Sequence, residues 1–343
     1  MLDERKVRIL QAITDDYIMT AEPVGSRTVA RRYDLGVSPA TIRNEMADLE
    51  ELGYLEQPHT SAGRIPTDRG YRYYVDALMK PEPVSREARS RVRREVQNRS
   101  HAMEELIFRA TRLLAELSHY TAVVAAPRLS EAEVHHLQLV PMGRRRILLV
   151  LVVRPGFIFH RSVDLKTSIS PSEVQYLSEF LNGRLHGVTL KRLGSRLSNE
   201  LRDEISDSTV AEATINLLEE ALRDDQQDSA YLDGVLNVLN QPEFRDIEKA
   251  RSLLSFLDDR EVLADILAEY GQNDGVKVTI GTEHSYVEMQ SCSMVSSAYY
   301  IGSTKVGTLG VLGPTRMDYR RVVSLVEFVA DSLSSMLTRA AKA

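Results

Sequence analysis

A single cysteine, Cys292, stands among 343 residues. One thiol excludes an internal disulfide framework and a multi-cysteine zinc site, and it fits a reducing compartment. No apolar run is long enough to cross a bilayer as a helix: ILLVLVV, from Ile147, falls far short of the roughly 20 residues needed. The opening MLDERKVRIL is charged from its third residue and has no apolar signal core. An excess of positive charge is lacking as well. The formal net charge of -6 argues against a nucleic-acid binder that uses its whole surface, while leaving room for a local basic patch. Gly302, Gly307, Gly310 and Gly313 have neither the GK[ST] ending of a phosphate loop nor the GxGxxG spacing of a dinucleotide site, so they read as strand turns. His135 and His136 are adjacent, which on a regular strand points them to opposite faces and away from a shared metal. Cys292 lies in an expected strand and reads as a packing residue rather than a nucleophile. No catalytic set, metal site or cofactor site emerges, and an enzyme is the least expected class. The expectation is a soluble, cytoplasmic protein with no membrane partner.

What is present is an abundance of periodic apolar residues, 43% of the chain, in a length that suits two or three domains. Val7, Ile9, Leu10, Ile13 and Tyr17 have helical spacing. Pro23 and Gly25 break it, a short helix opens at Ser26, and a third runs from Pro39 until Gly53 stops it. YLEQPHTSAGRIPT reads as two short strands around a loop, and Thr67 caps a fourth helix. A Pro-containing boundary near residue 82 precedes a long helical pattern over 86–117. Its early arginines, Arg89, Arg91, Arg93 and Arg94, read as a solvated face. From Thr121 the period shortens to that of strands through VHHLQLVPM, RRRILLVLVVRPG and FIFHRSVDL, followed by the helix SPSEVQYLSEFLNG. Residues 190–270 read as helical with no strand signal; three strands and a terminal helix finish the chain. Two separate sheets would satisfy this order. One sheet carrying a helical insertion is preferred, because either strand set alone leaves poorly covered edges.

The order helix, helix, tight turn, helix, hairpin is that of a winged helix-turn-helix. Ile42, Met46 and Leu49 give the third helix a packing face. Its first turns offer Ala40, Thr41, Arg43 and Asn44 to a major groove, where arginine suits guanine and asparagine suits adenine, and Ser38, its cap, is a further candidate for contact with DNA. The acidic residues Asp48, Glu50 and Glu51 follow where the helix leaves the groove. His59, Thr60, Ser61 and Arg64 on the wing, with Ser26, Arg27 and Thr28 at the start of the second helix, suit phosphate or minor-groove contact.

These residues also carry a resemblance. PVGSRTVARRYDLGVSPATIRNEMADLEELGYLEQPHTSAGRIPTDRGYRYYVD, with GTLGVLGPTRMDYRRVVSLV near the other end, resembles the HrcA family of bacterial heat-inducible repressors along essentially the whole chain. The resemblance implies an α+β multidomain architecture: a winged helix, and a GAF-like domain split by an inserted all-helical dimerisation domain. Placed on this chain, the winged helix takes residues 1–80 and a linker with a long helix 81–119. The GAF-like domain takes 120–190 and 273–343, and the insertion 191–272. It further implies a homodimer that binds double-stranded DNA at an inverted-repeat operator upstream of chaperone genes, with the chaperonin GroEL keeping the repressor active. A ligand-sensing regulator using the GAF-like domain is the alternative.

Overall fold

The computed structural model describes residues 2–96, 103–125, 133–153, 157–165, 168–189, 230–271 and 275–341. Helix α1 (Glu4–Thr20) starts where the Asp3 side chain accepts from the Lys6 backbone N–H. α2 (Ser26–Arg32) and α3 (Pro39–Glu51) follow. Ser38 caps α3 and Pro39 occupies its first turn, where a missing N–H costs nothing. The helix stops at Gly53, whose φ of +77° lets the Tyr54 N–H return to Leu49 O at 2.9 Å. Ile9, Leu10, Ile13, Val24, Val29, Ile42, Met46, Leu49 and Leu55 form one buried cluster. Each such side chain contributes roughly 1.5–3 kcal/mol of burial. Strands β1 (Leu55–Glu56) and β2 (Ile65–Pro66) make the hairpin, and Val24 pairs with Arg64 beside it. α4 (Asp68–Tyr73), capped by Thr67, widens into a π-helical turn at Tyr74–Leu78.

The expected long helix over 86–117 is instead two: α5 (Arg86–Val96) and α6 (Met103–Ser118). They lie side by side, with Arg91 paired to Glu116 and Arg109 to Glu95 at 3.5 Å. Early residues of one meeting late residues of the other makes them antiparallel. Folding back buries Val92 and the Leu106, Leu113 and Leu114 stripe that one extended helix would leave exposed.

Strand pairing corrects the expected single sheet with an all-helical insertion. β3 (Thr121–Ala125), β7 (Ala230–Asp233), β8 (Val276–Ile280), β9 (Cys292–Ile301) and β10 (Thr304–Pro314) form an antiparallel sheet in the order β7-β3-β10-β9-β8. β4 (Val134–Pro141), β5 (Arg146–Val153) and β6 (Phe157–Asp164) form a separate three-stranded sheet. Ala125, the last residue of β3, pairs directly with Ala230, the first of β7. The chain therefore leaves the five-stranded sheet and returns to it at one point. The excursion covers 126–229 and contains strands, whereas residues 191–272 do not form one helical block. AYLD at Ala230 is a strand because β3 offers it an open edge, a non-local cause. Residues 190–229 of the expected helical insertion lie outside the described residues.

Alternation sorts the five-stranded sheet's two faces. Ala122, Val124, Val295, Tyr299, Leu309 and Val311 pack with α6 and the terminal helix α11 (Tyr319–Ala340). Val123, Ala125, Met294 and Leu312 pack with Leu253 and Leu257 of α9 (Ile247–Asp258) and with Leu263 and Leu267 of α10 (Arg260–Tyr270). A shorter helix, α8 (Val235–Leu239), precedes these two. In the smaller sheet, α7 (Pro171–Leu185) lies along β4, where Ser178 Oγ accepts from Leu139 N at 3.0 Å and Asn182 Oδ1 from Leu137 N at 3.0 Å. Helix side chains thus satisfy the strand edge that sequence reasoning expected to be poorly covered. A register shift between Val134 and His136 overturns the opposite-face reading of the paired histidines. Both approach α7: the His135 ring lies 5.7 Å from that of His186, and His136 Nδ1 lies 3.0 Å from Asn182 Nδ2.

Candidate nucleic-acid interface

α3 presents two chemistries along its length. At its start, Ser38 Oγ accepts from Thr41 N at 3.2 Å and lies 2.9 Å from Thr41 Oγ1. Arg43 and Asn44 are exposed, and neither has a hydrogen bond or ion pair among the described residues. Ile42, Met46 and Leu49 are buried on the opposite face. The packing residues therefore fix the helix while Arg43 and Asn44 stay free to meet something outside the chain.

The second half is acidic but not uncompensated. Lys6 of α1 reaches Glu45 at 2.7 Å and Asp48 at 3.0 Å, and Arg5 reaches Glu45 at 3.3 Å. The hydrogen bond with Glu45 is the main reason the Lys6 ammonium is held charged above its ordinary range. Glu50 pairs with Arg64 at 2.7 Å. Sequence reasoning placed Asp48, Glu50 and Glu51 beyond the phosphates; the structure adds that Asp48 and Glu50, together with Glu45, fasten α3 to α1 and to the hairpin. Charge alternation along α1 and α3 was the available signal, but nothing local in the sequence says which charges meet.

The hairpin tip exposes His59, Thr60 and Ser61. Ala62 N donates to His59 O at 2.8 Å, and the Gln57 amide donates to Thr60 O and Ala62 O, each at 3.0 Å, so the tip is shaped from within. Gly63 permits the hairpin to lie on Val24, since a Cβ there would fall 2.4 Å from the Val24 carbonyl. Arg64 differs from the other expected contact residues. Its side chain is only 20% exposed, its Nη2 is held by Glu50, and its Nε is buried without a partner. On α2, Arg27 is exposed while Ser26 and Thr28 are half-buried; Thr28 N is already bonded to Gly25 O at 2.9 Å.

Elsewhere the described residues contain no group of three or more His, Cys, Asp or Glu placed to hold a metal ion, and no helix long and apolar enough to cross a membrane. Burial pushes the Cys292 thiol up to about 12, which leaves it protonated at neutral pH. A groove of about 490 Å³ runs along Asp3, Arg5, Arg8, Leu35 and Val37, and another of about 230 Å³ lies between α5 and α11 at Arg93, Phe328 and Arg339. Neither enters the five-stranded sheet.

Comparison with known proteins decides the lineage. Residues 104–323 match the HrcA protein C terminal domain. A heat-inducible transcription repressor HrcA of Pelotomaculum thermopropionicum is 44% identical, over 98% of this chain and 97% of its own. The chain belongs to the HrcA family. Another member, from Desulforudis audaxviator, is 46% identical over 98% of both chains. HrcA proteins are transcription repressors, not enzymes, and repression implies contact with DNA. A crystal structure described as that of a hypothetical protein superposes with a TM-score of 0.67 at 23% identity, covering 99% of this chain and 100% of that one. It shows that the fold recurs.

Proposed function

We propose that this HrcA chain is a homodimer that binds an inverted-repeat operator upstream of chaperone genes. In this reading residues 1–80 form a winged helix-turn-helix and α3 is the reading helix. The single observation that carries it is the first half of α3, where Arg43 and Asn44 stand exposed and unpaired on a helix whose opposite face is fully packed. Thr41, Arg43 and Asn44 meet base edges; Ser26, Arg27, Thr28, Ser38, His59, Thr60 and Ser61 meet the backbone. Arg64 serves the interface by holding the wing to α3.

The dimer contact belongs to the excursion 126–229 rather than to residues 247–270, where Leu253, Leu257, Leu263 and Leu267 are spent on the five-stranded sheet. Exposed Met142, Ile158 and Tyr176 on its described part support this. The five-stranded unit with its helices corresponds to the GAF-like domain. Two reading helices joined by a twofold axis share one binding free energy. Heat or a shortage of the chaperonin GroEL lowers the folded dimer population, and occupancy falls by mass action. A gel-shift titration at fixed salt tests the reading: tight binding to an inverted-repeat duplex is expected, and equal affinity for a scrambled duplex overturns it.

A further inference from the structure

Several contacts join the winged unit to the five-stranded unit, among them Arg316 Nη1 donating to Ile18 O and Arg320 Nε to Lys80 O, each at 3.3 Å, and one turn makes a directional set of its own. Asp68 and Arg72 lie one helical turn apart on α4. Asp68 Oδ2 accepts from Thr282 N at 2.8 Å and from Thr282 Oγ1 at 2.9 Å. Arg72 forks onto Glu283, Nε to Oε1 at 2.7 Å and Nη2 to Oε2 at 2.5 Å, and Nη2 also donates to Val278 O at 2.6 Å. Glu283 Oε2 further accepts from Ile280 N at 2.9 Å, which ties the fork to the end of β8. Gly281 completes the fit: its φ is +50°, and a Cβ there would fall 2.3 Å from the Asp68 carboxylate. Three consecutive residues, Gly281 to Glu283, are thus committed to one helix of the DNA-facing unit. Beside them, Tyr71 is buried with its ring 5.9 Å from that of Tyr319.

These contacts have different consequences. The tyrosine pair buries apolar area and holds the units together, but apolar contact is non-directional. A bidentate guanidinium–carboxylate fork and a two-donor carboxylate are directional, and each is anchored to backbone. Contacts of this kind constrain the angle between the elements they join, here α4 and the turn after β8.

We propose that Asp68, Arg72, Thr282 and Glu283 are positioning residues that set the half-site spacing this repressor accepts. The inference rests on the inverted-repeat reading above. A dimer with rigidly held reading helices reaches only half-sites at one separation and phase; a dimer with loosened ones reaches several, at a lower effective concentration for each.

The test uses the full-length protein and a series of duplexes whose two half-sites are moved apart or together by single base pairs, with a single half-site duplex as reference. Wild type should show a narrow optimum. Arg72→Gln should broaden it, reducing the preference for the optimal spacing about tenfold while leaving half-site affinity unchanged. Thr282→Val, which removes only the hydroxyl bond to Asp68, should shift the profile the same way by less, and it serves if Arg72→Gln does not fold. An unchanged profile in the folded variants overturns the proposal. So does a uniform loss at every spacing, half-site included, because that is damage to the DNA surface or the fold. If wild type binds scrambled duplex equally well, the failure is that of the inverted-repeat reading instead.

Discussion

Arg43 and Arg64 are both arginines of the N-terminal unit, yet their surroundings assign them different work. Arg43 is exposed and uncommitted; Arg64 is mostly covered and paired to Glu50. Arg43→Ala or Asn44→Ala should cost roughly 1–3 kcal/mol of operator binding and relax base preference at one position, read by titrating single-base operator variants. Glu50→Ala gives the sharper distinction. If Arg64 holds the wing in place through Glu50, removing the acid weakens binding. If Arg64 instead neutralises a phosphate, removing a nearby negative charge strengthens binding and steepens its salt dependence. Weakening is expected. A third residue gives a pH signature. His284 is buried, with Nδ1 2.7 Å from the Tyr270 hydroxyl and Nε2 unpartnered. Burial pulls its imidazole down to about 4 from the usual 6.5, opposed by Glu283, the Cys292 backbone and Asp68 and assisted by Lys277. The folded chain refuses a proton that the unfolded chain accepts below pH 6.5. The stability associated with a neutral His284 is therefore present above that pH and lost as pH falls towards 4. Melting temperatures measured between pH 7.5 and 5 should fall less steeply in His284→Asn than in wild type; parallel slopes would refute the assignment.

At the scale of elements, the caps and glycines make the N-terminal unit stand. Ser38→Ala removes the acceptor for Thr41 N and should destabilise the unit by about 1 kcal/mol, seen as a lower denaturant midpoint with an unchanged slope. Gly63→Ala should do more harm, because the added carbon meets the Val24 backbone rather than a side chain that can swing away. These features were readable beforehand. Ser38, Pro39, Gly53 and Thr67 are local punctuation, and Ile42, Met46 and Leu49 repeat at the helical period, so α1 to α4 and the hairpin follow from neighbours in the chain. The charged pairings of the site were not. Lys6 meets Glu45 across 39 residues, and no spacing rule predicts a contact that only the packing of α1 on α3 creates. Sheet membership failed for the same reason. β3 and β4 both read as strands, yet β3 pairs with β10 and β7 while β4 pairs with β5. AYLD is too short to show alternation at all, and its strand conformation is imposed by the edge of β3.

For the whole molecule, the decisive relation is the pairing of Ala125 with Ala230. It means that the chain leaves and rejoins the five-stranded sheet at one point, and that among the described residues between them β4, β5 and β6 pair with one another. Evolution can lengthen such a loop at small entropic cost, since closure grows only slowly with length. It also means that the excursion can be cut away without breaking the sheet: replacing 126–229 by an Asn-Gly turn leaves β3 and β7 as an ordinary hairpin. If the excursion carries the dimer contact, this shortened protein should sediment as a monomer at concentrations where the full chain is a dimer. It should keep a cooperative thermal transition, because α6, α9, α10 and α11 still cover both faces of the sheet. Its affinity for a single half-site should match that of the full chain, while its affinity for the inverted repeat drops to that same half-site value, the gain from linkage having gone. A shortened protein that still dimerises would place the contact on the five-stranded unit or on the N-terminal unit. The exposed Leu236 and Ile247, on α8 and at the start of α9, would then be the surface to substitute next.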